Sequence, residues 1–226
     1  MYLPKRQWRL TALIIIVAAG LAFAAWQPMT PAQLLALGEQ ATGNPLTLAA
    51  LVVAQALLFT FALPGSMLLW ALAPFQSPWL SVPLLVTGSV AGAVGARYVA
   101  WRLYGRRPLQ AAPQDERPII ALLRQRADFM TQCAMRALPG FPHSIINYAG
   151  GTLALPLPTF VAAAIVGLTF KWGVYASAIY GAASAADDGS PLSPATLLPL
   201  AILAGALIAG GWLQRRIAAH RSKTRS

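Results

Sequence analysis

Arg136, Pro139, Gly140, Pro142, His143 and Asn147 crowd into one short stretch of an otherwise apolar chain. Proline and glycine interrupt a helix, and a helix restarting near His143 would turn its free N–H groups and positive dipole end toward the interruption. That arrangement holds anions, phosphate above all. Arg136 precedes the break by about one turn and carries a planar fork of donors matched to phosphate oxygens. Asn147 lies about one turn into the restarted helix, within reach of a headgroup or of the opposing half of the molecule. Two plainer readings stay open: Arg136 snorkels to an interface, and Asn147 makes a purely structural bond. Lys171, between Phe170 and Trp172, stands apart from every other basic residue. A lysine at a bilayer centre costs about 2.5–3.5 kcal/mol, so it must face a cavity or a partner, unless the limits of its span place it at an interface.

The break has a double. Ala62-Leu63-Pro64-Gly65 and Ala137-Leu138-Pro139-Gly140 spell the same word, each inside an apolar stretch. Tyr104-Gly105 and Tyr180-Gly181 follow the two copies at nearly equal distances. Hydrocarbon contains no water for a freed backbone group, so broken helix is tolerated there only where it lines a protein-enclosed or wet cavity. Two matched breaks in two halves of a chain point to a transporter-like site at the repeat interface.

The elements that must position these residues follow from composition and charge. The chain has 226 residues, 57% hydrophobic and 10% charged, too few charges for a soluble domain. The net charge of +11 does not imply nucleic acid. Apart from Lys171 the basic residues form three clusters: Lys5, Arg6 and Arg9; then Arg97, Arg102, Arg106, Arg107, Arg117, Arg124, Arg126 and Arg136; then Arg215, Arg216, Arg221, Lys223 and Arg225. Cytoplasmic flanks of membrane spans collect Lys and Arg in this way. Cys133, the single cysteine, excludes an internal disulfide and reads as a packing residue.

Counting crossings between the clusters gives a topology. Leu10–Trp26 leads out from a cytoplasmic N-terminus, although Ala22-Phe23-Ala24 leaves a cleaved signal peptide as the alternative. Residues 27–44 form an outer segment whose one acid, Glu39, reads as a surface residue. Trp79–Trp101 must end inside, because the largest arginine cluster follows it. Residues 45–74 therefore make no net crossing: Pro45–Leu63 enters, Pro64-Gly65 turns, and Ser66–Ala73 returns. The same parity, with spans at Pro158–Ala183 and Thr196–Leu213, makes Ala137–Pro156 a second hairpin, entered from the cytoplasmic side. The expected fold is all-α and integral to the membrane, with transmembrane helices and two inverted re-entrant hairpins. Its parts are residues 1–44, a core at 45–183, and 184–226 with the last span and a basic tail. Between them, Ile119, Leu122, Leu123, Arg126, Phe129 and Met130 suggest one amphipathic surface helix, or else a solvated loop. Gly88, Gly92 and Ala96 form a small-residue stripe on which a hairpin is expected to sit. Arg97 is expected to snorkel toward the interface.

Arg136, Pro139, Pro142, Asn147 and Tyr148, followed by Ala149-Gly150, Phe160 and Gly167, resemble the signature of the DedA superfamily, also called VTT-domain or SNARE-associated membrane proteins. The resemblance spans roughly Pro45 to Gly181. It implies two opposed re-entrant hairpins and the movement of lipids between leaflets. Two positions depart from the usual pattern: Ser66 stands where an acid adjoins the first Pro-Gly, and Pro142 where a second arginine is usual. Proton coupling through a hairpin carboxylate is thereby put in doubt.

The expected function is transport or scrambling of phosphate-bearing lipids, phospholipid or polyprenyl phosphate, across a bacterial inner membrane with both termini cytoplasmic. Arg136, Pro139, Gly140, Pro142, His143, Asn147 and Lys171 would form the headgroup site, and Pro64 and Gly65 the opposing break. A small-solute or ion transporter and a non-transporting scaffold are the alternatives. Catalysis is not expected: His143 and Ser144 are adjacent, so their spacing alone makes no nucleophile–base pair, and two histidines with one cysteine make no metal cluster. No cofactor or metal is expected. The expected partners are membrane lipids with phosphate headgroups, with a homo-oligomer left open.

Overall fold

The structure, a computed structural model, describes residues 43–105, 118–138, 141–187 and 194–223, together with 33, 36 and 38–40. The expected first span Leu10–Trp26, the basic residues before it, Arg106, Arg107, Arg117, Pro108, Pro113, and the Pro139-Gly140 pair lie outside the described residues. The described chain is helical throughout, with no strand. In order the helices are α1 (Pro45–Thr60), α2 (Met67–Leu72), α3 (Pro78–Tyr104), α4 (Pro118–Gln125), α5 (Phe129–Ala137), α6 (His143–Thr152), α7 (Leu157–Asp187) and α8 (Pro194–Lys223).

Two helices, Pro78–Tyr104 and Leu157–Ser184 within α7, are long and apolar enough to cross a bilayer. They run antiparallel. Arg97 near the end of α3 lies by Phe160 near the start of α7, and Ser89 further back in α3 meets Trp172 further on in α7. The last helix carries a shorter apolar stretch, Leu200–Trp212.

Helix α1 begins where Asn44 accepts the amide of Leu46 at 2.9 Å and Pro45 supplies a first helical residue that needs no donor. At 16 residues it extends about 24 Å, short of a bilayer core. It packs on α3 through small residues. A Cβ on Gly88 would come 2.6 Å from Gln55 Oε1, and one on Gly92 would come 2.6 Å from Phe59 Cβ. Thr60 lies against Gly95, a third glycine that extends the expected stripe. Contacts therefore advance in step along both helices, so α1 and α3 run in the same direction. The chain must return between Thr60 and Pro78, and α2 makes that return, with Leu68, Leu69 and Leu72 packed on Leu85 and Trp172.

The second half is also doubled back. Cys133 and Arg136 of α5 lie against Gly167 of α7, and α6 opens with His143 beside Lys171 and runs back to place Gly150 on Phe160. The start of α6 thus stands near the middle of α7. A second apolar cluster joins Ala93, Leu123, Met135, Phe141, Ile146, Ala149, Leu155 and Phe160.

Three expectations are corrected. The amphipathic segment is two helices, because Asp128 caps α5 by accepting the amide of Thr131 at 2.9 Å and its hydroxyl at 2.8 Å. The Tyr-Gly pairs are not equivalent: Gly105 ends α3 at φ 67°, whereas Gly181 lies inside α7. The two Ala-Leu-Pro-Gly copies also differ. Ala62 takes a left-handed φ of 62° and Leu63 N bonds Leu58 O at 2.8 Å, a Schellman end; Ala137 is still helical and Leu138 is extended. The geometry of the first end recurs at Ala154-Leu155-Pro156, where Ala154 has φ 53° and Leu155 N bonds Gly150 O at 3.1 Å.

Candidate functional site

Helices α5, α6 and α7 bring Arg136, Asn147 and Phe160 together, and α6 and α7 join His143 to Lys171. Arg136 has no exposed surface. It does not snorkel. Gly167 makes its approach to α7 feasible, since a Cβ there would stand 2.8 Å from Arg136 Cβ and 2.7 Å from Cys133 O. Its Nη1 donates to Asn147 Oδ1 at 2.9 Å. Asn147, nearly fully buried, therefore serves the arginine of its own hairpin rather than the opposing one. The Arg136 Nε and Nη2 atoms are buried and have no hydrogen-bond partner among the described residues. A guanidinium keeps its proton even in poor surroundings, so this is a buried positive charge held by an amide oxygen and an aromatic ring.

Lys171 reaches the first residue of α6: its Nζ stands 2.5 Å from His143 Nε2. It also lies 5.1 Å from the Trp172 ring centroid and 5.8 Å from that of Tyr175. The partner expected of a mid-span lysine is thus His143. Because Gly167 and Lys171 are one turn apart on α7, Arg136 and Lys171 lie at adjacent levels of the same helix face. Pro142 sits at the N-cap of α6 and contributes no side-chain cap. Pro139 and Gly140 lie outside the described residues. Pro64 is exposed and Gly65 is buried against Phe59, in the turn between α1 and α2.

Arg97 corrects a further expectation. It turns inward, with Nη2 donating to Leu155 O at 2.6 Å, and so clasps the link between α6 and α7. Snorkelling loses here because the carbonyl beyond a left-handed helix end is an acceptor that no helix satisfies.

Several bonds that tie the halves together were not foreseen. Tyr148 Oη donates to Thr60 O at 2.9 Å, joining α6 to the end of α1. Gln55 Nε2 and Trp172 Nε1 both donate to Ser89 Oγ, at 3.1 and 2.9 Å. Gln55 and Ser89 are isolated polar residues in long apolar runs, which is the signal that would have found them. Phe160 was visible in the sequence without a role.

A helical membrane protein in which interrupted helices gather isolated cations beside its long spans belongs to the transporter class. The chain matches the model of the VTT domain over residues 63–181, just over half its length, and it belongs to that family, the DedA or SNARE-associated family, assigned to membrane transport. No curated protein and no solved structure matches it.

Proposed function

We propose that this protein moves phosphate-bearing lipids between the leaflets of a bacterial inner membrane, with both termini cytoplasmic. The observation that carries the reading is Arg136: fully buried, with two donor atoms that no group among the described residues meets. A buried charge is stable only when paired, and an anionic ligand supplies the missing partner. The start of α6 adds its dipole, and Lys171 adds a second cation one turn along α7.

The two doubled-back segments are read as re-entrant hairpins entering from opposite faces. Supporting this are the shared direction of α1 and α3, the start of α6 beside the middle of α7, and the basic cluster at the end of α3. The lipid head would cross along the polar line from Lys171 to Arg136 while its tails remain in the bilayer. Catalysis forms no part of this reading.

The test is reconstitution into vesicles carrying labelled phosphatidic acid or polyprenyl phosphate in one leaflet. Wild-type protein should equilibrate the label and Arg136→Gln should not. If neither lipid moves in vesicles where a control scramblase works, the reading is wrong. Carriage of labelled inorganic phosphate without lipid movement would replace it by a solute path, and intact activity of Arg136→Gln would leave only a scaffold role.

A further inference from the structure

The Arg136 site has one wall that offers neither charge nor hydrogen bond. Phe160, in the first turn of α7, is fully buried. The Arg136 guanidinium carbon lies 4.4 Å from its ring centroid, and that of Arg97 lies 5.9 Å away. Two cations, one from α3 and one from α5, therefore share a single ring, both within the roughly 6 Å over which the ring quadrupole attracts a cation. The ring is fixed in place from several sides. Gly150 leaves room for it, since a Cβ there would stand 2.9 Å from Cδ2 and 3.3 Å from Cζ. The bond from Arg97 to Leu155 O holds the chain just ahead of α7, and Phe160 N donates to Pro156 O at 3.0 Å.

A buried guanidinium is usually compensated by a carboxylate. A carboxylate would also cancel the charge and compete with any anionic ligand. A ring face and an amide oxygen do something different. They favour the cation but carry no net charge, so the site stays electropositive. The Nε and Nη2 of Arg136, unpartnered among the described residues, remain as donors.

We propose that Phe160 is the positioning residue of the anion site: its ring, together with Asn147, holds Arg136 in place of a carboxylate and leaves the guanidinium charge to an anionic headgroup. This rests on the anion-site reading above. The ligand itself touches Arg136, and Phe160 acts through it.

The experiment titrates dioctanoyl phosphatidic acid into the full-length protein in detergent, by calorimetry. Position 160 carries in turn phenylalanine and its mono-, di- and trifluorinated analogues, which keep the ring's shape while draining its negative face. Affinity should fall stepwise, by about tenfold over the series. A ring that merely fills space would give a flat series, and that result would overturn the proposal. Arg136→Gln separates the two claims. If Arg136→Gln abolishes binding and the series is flat, only the role of Phe160 is lost. If Arg136→Gln binds as tightly as the wild type, or the wild type binds nothing, the anion-site reading fails and this proposal fails with it.

Discussion

Arg136 Nη1 donates to Asn147 Oδ1 across 2.9 Å, and both side chains are buried. The pairing joins the rising and returning arms of the second hairpin through a neutral acceptor. That neutrality is the point on which function and stability separate. Asn147→Asp changes one atom type and creates a buried ion pair with Arg136. The pair keeps the hydrogen bond, so the fold should survive with a thermal midpoint near that of the wild type. The charge of Arg136, however, is then cancelled within the site. Lipid movement in the vesicle assay should fall by at least tenfold. Undiminished transport by a stably folded Asn147→Asp protein would show that the charge of Arg136 is not what the substrate meets.

Ser89 Oγ accepts from Gln55 on α1 and from Trp172 on α7, so one hydroxyl binds three helices. In lipid, apolar burial gives no drive for helices to associate, and close packing with interhelical hydrogen bonds takes its place. Ser89→Ala leaves two buried donors unpartnered. The expected loss is about 1–2 kcal/mol, toward the lower end of the aqueous range because the unfolded chain also finds partners in a membrane. Chemical unfolding in detergent, followed by tryptophan fluorescence, measures it. A stability equal to wild type would mean that packing at Gly88 and Gly92 alone seats α1.

Much of this arrangement was legible in the sequence, and the misses share a cause. Asn44-Pro45 announces the start of α1, because a side-chain acceptor and a residue without an amide suit a helix N-terminus. Lys171, apart from every basic cluster, announces a polar site for the same reason that lysine is rare in hydrocarbon, and Arg136 does so by its place beside Pro139-Gly140. Legible too was the stripe at Gly88 and Gly92. What stayed hidden depends on the partner rather than on the residue. Nothing local to Arg97 says that it finds Leu155 O, and nothing local to Phe160 says that two guanidinium groups gather on it. The left-handed helix ends stayed hidden for a local reason. Helix ends in the left-handed conformation are normally marked by glycine, and here alanine occupies both, at Ala62 and Ala154.

That choice of alanine gives a third prediction. An L-residue at left-handed φ carries a strain of roughly 1–2 kcal/mol, and glycine removes it at an entropic cost of roughly 0.5–1 kcal/mol in the unfolded chain. Ala154→Gly should therefore be neutral or stabilising by up to about 1 kcal/mol, read as an unchanged or raised thermal midpoint. At Gly105 the sign reverses. Its φ of 67° and ψ of −177° belong to a region that is nearly glycine's alone, so Gly105→Ala should lose about 1–3 kcal/mol although no described residue beyond its neighbours stands within 4 Å of the added carbon. A stable Gly105→Ala protein would show that α3 ends differently from the geometry described.

Asp128 gives a prediction in pH. Its carboxylate accepts first the amide and then the hydroxyl of Thr131, and both bonds hold its pKa below the usual 3.8. A carboxyl whose folded pKa is depressed contributes stability that is fully present above the unfolded value. It is lost as pH falls through the folded value. The cap of α5 should accordingly be intact from neutral pH down to about 4, and should loosen only below that. Amide hydrogen exchange at Thr131 and Gln132, compared between pH 6 and pH 3 after correction for intrinsic rates, should show protection falling at the lower pH. Asp128→Asn, which keeps an acceptor and cannot titrate, should flatten that dependence while leaving α5 formed. Asp128→Ala should lose the protection at both pH values. Because α5 leads directly to Arg136, Asp128→Ala should also lower lipid movement at neutral pH more than Asp128→Asn does. Equal transport by the two variants would mean that the position of Arg136 is set by Gly167 and Asn147 without help from the cap.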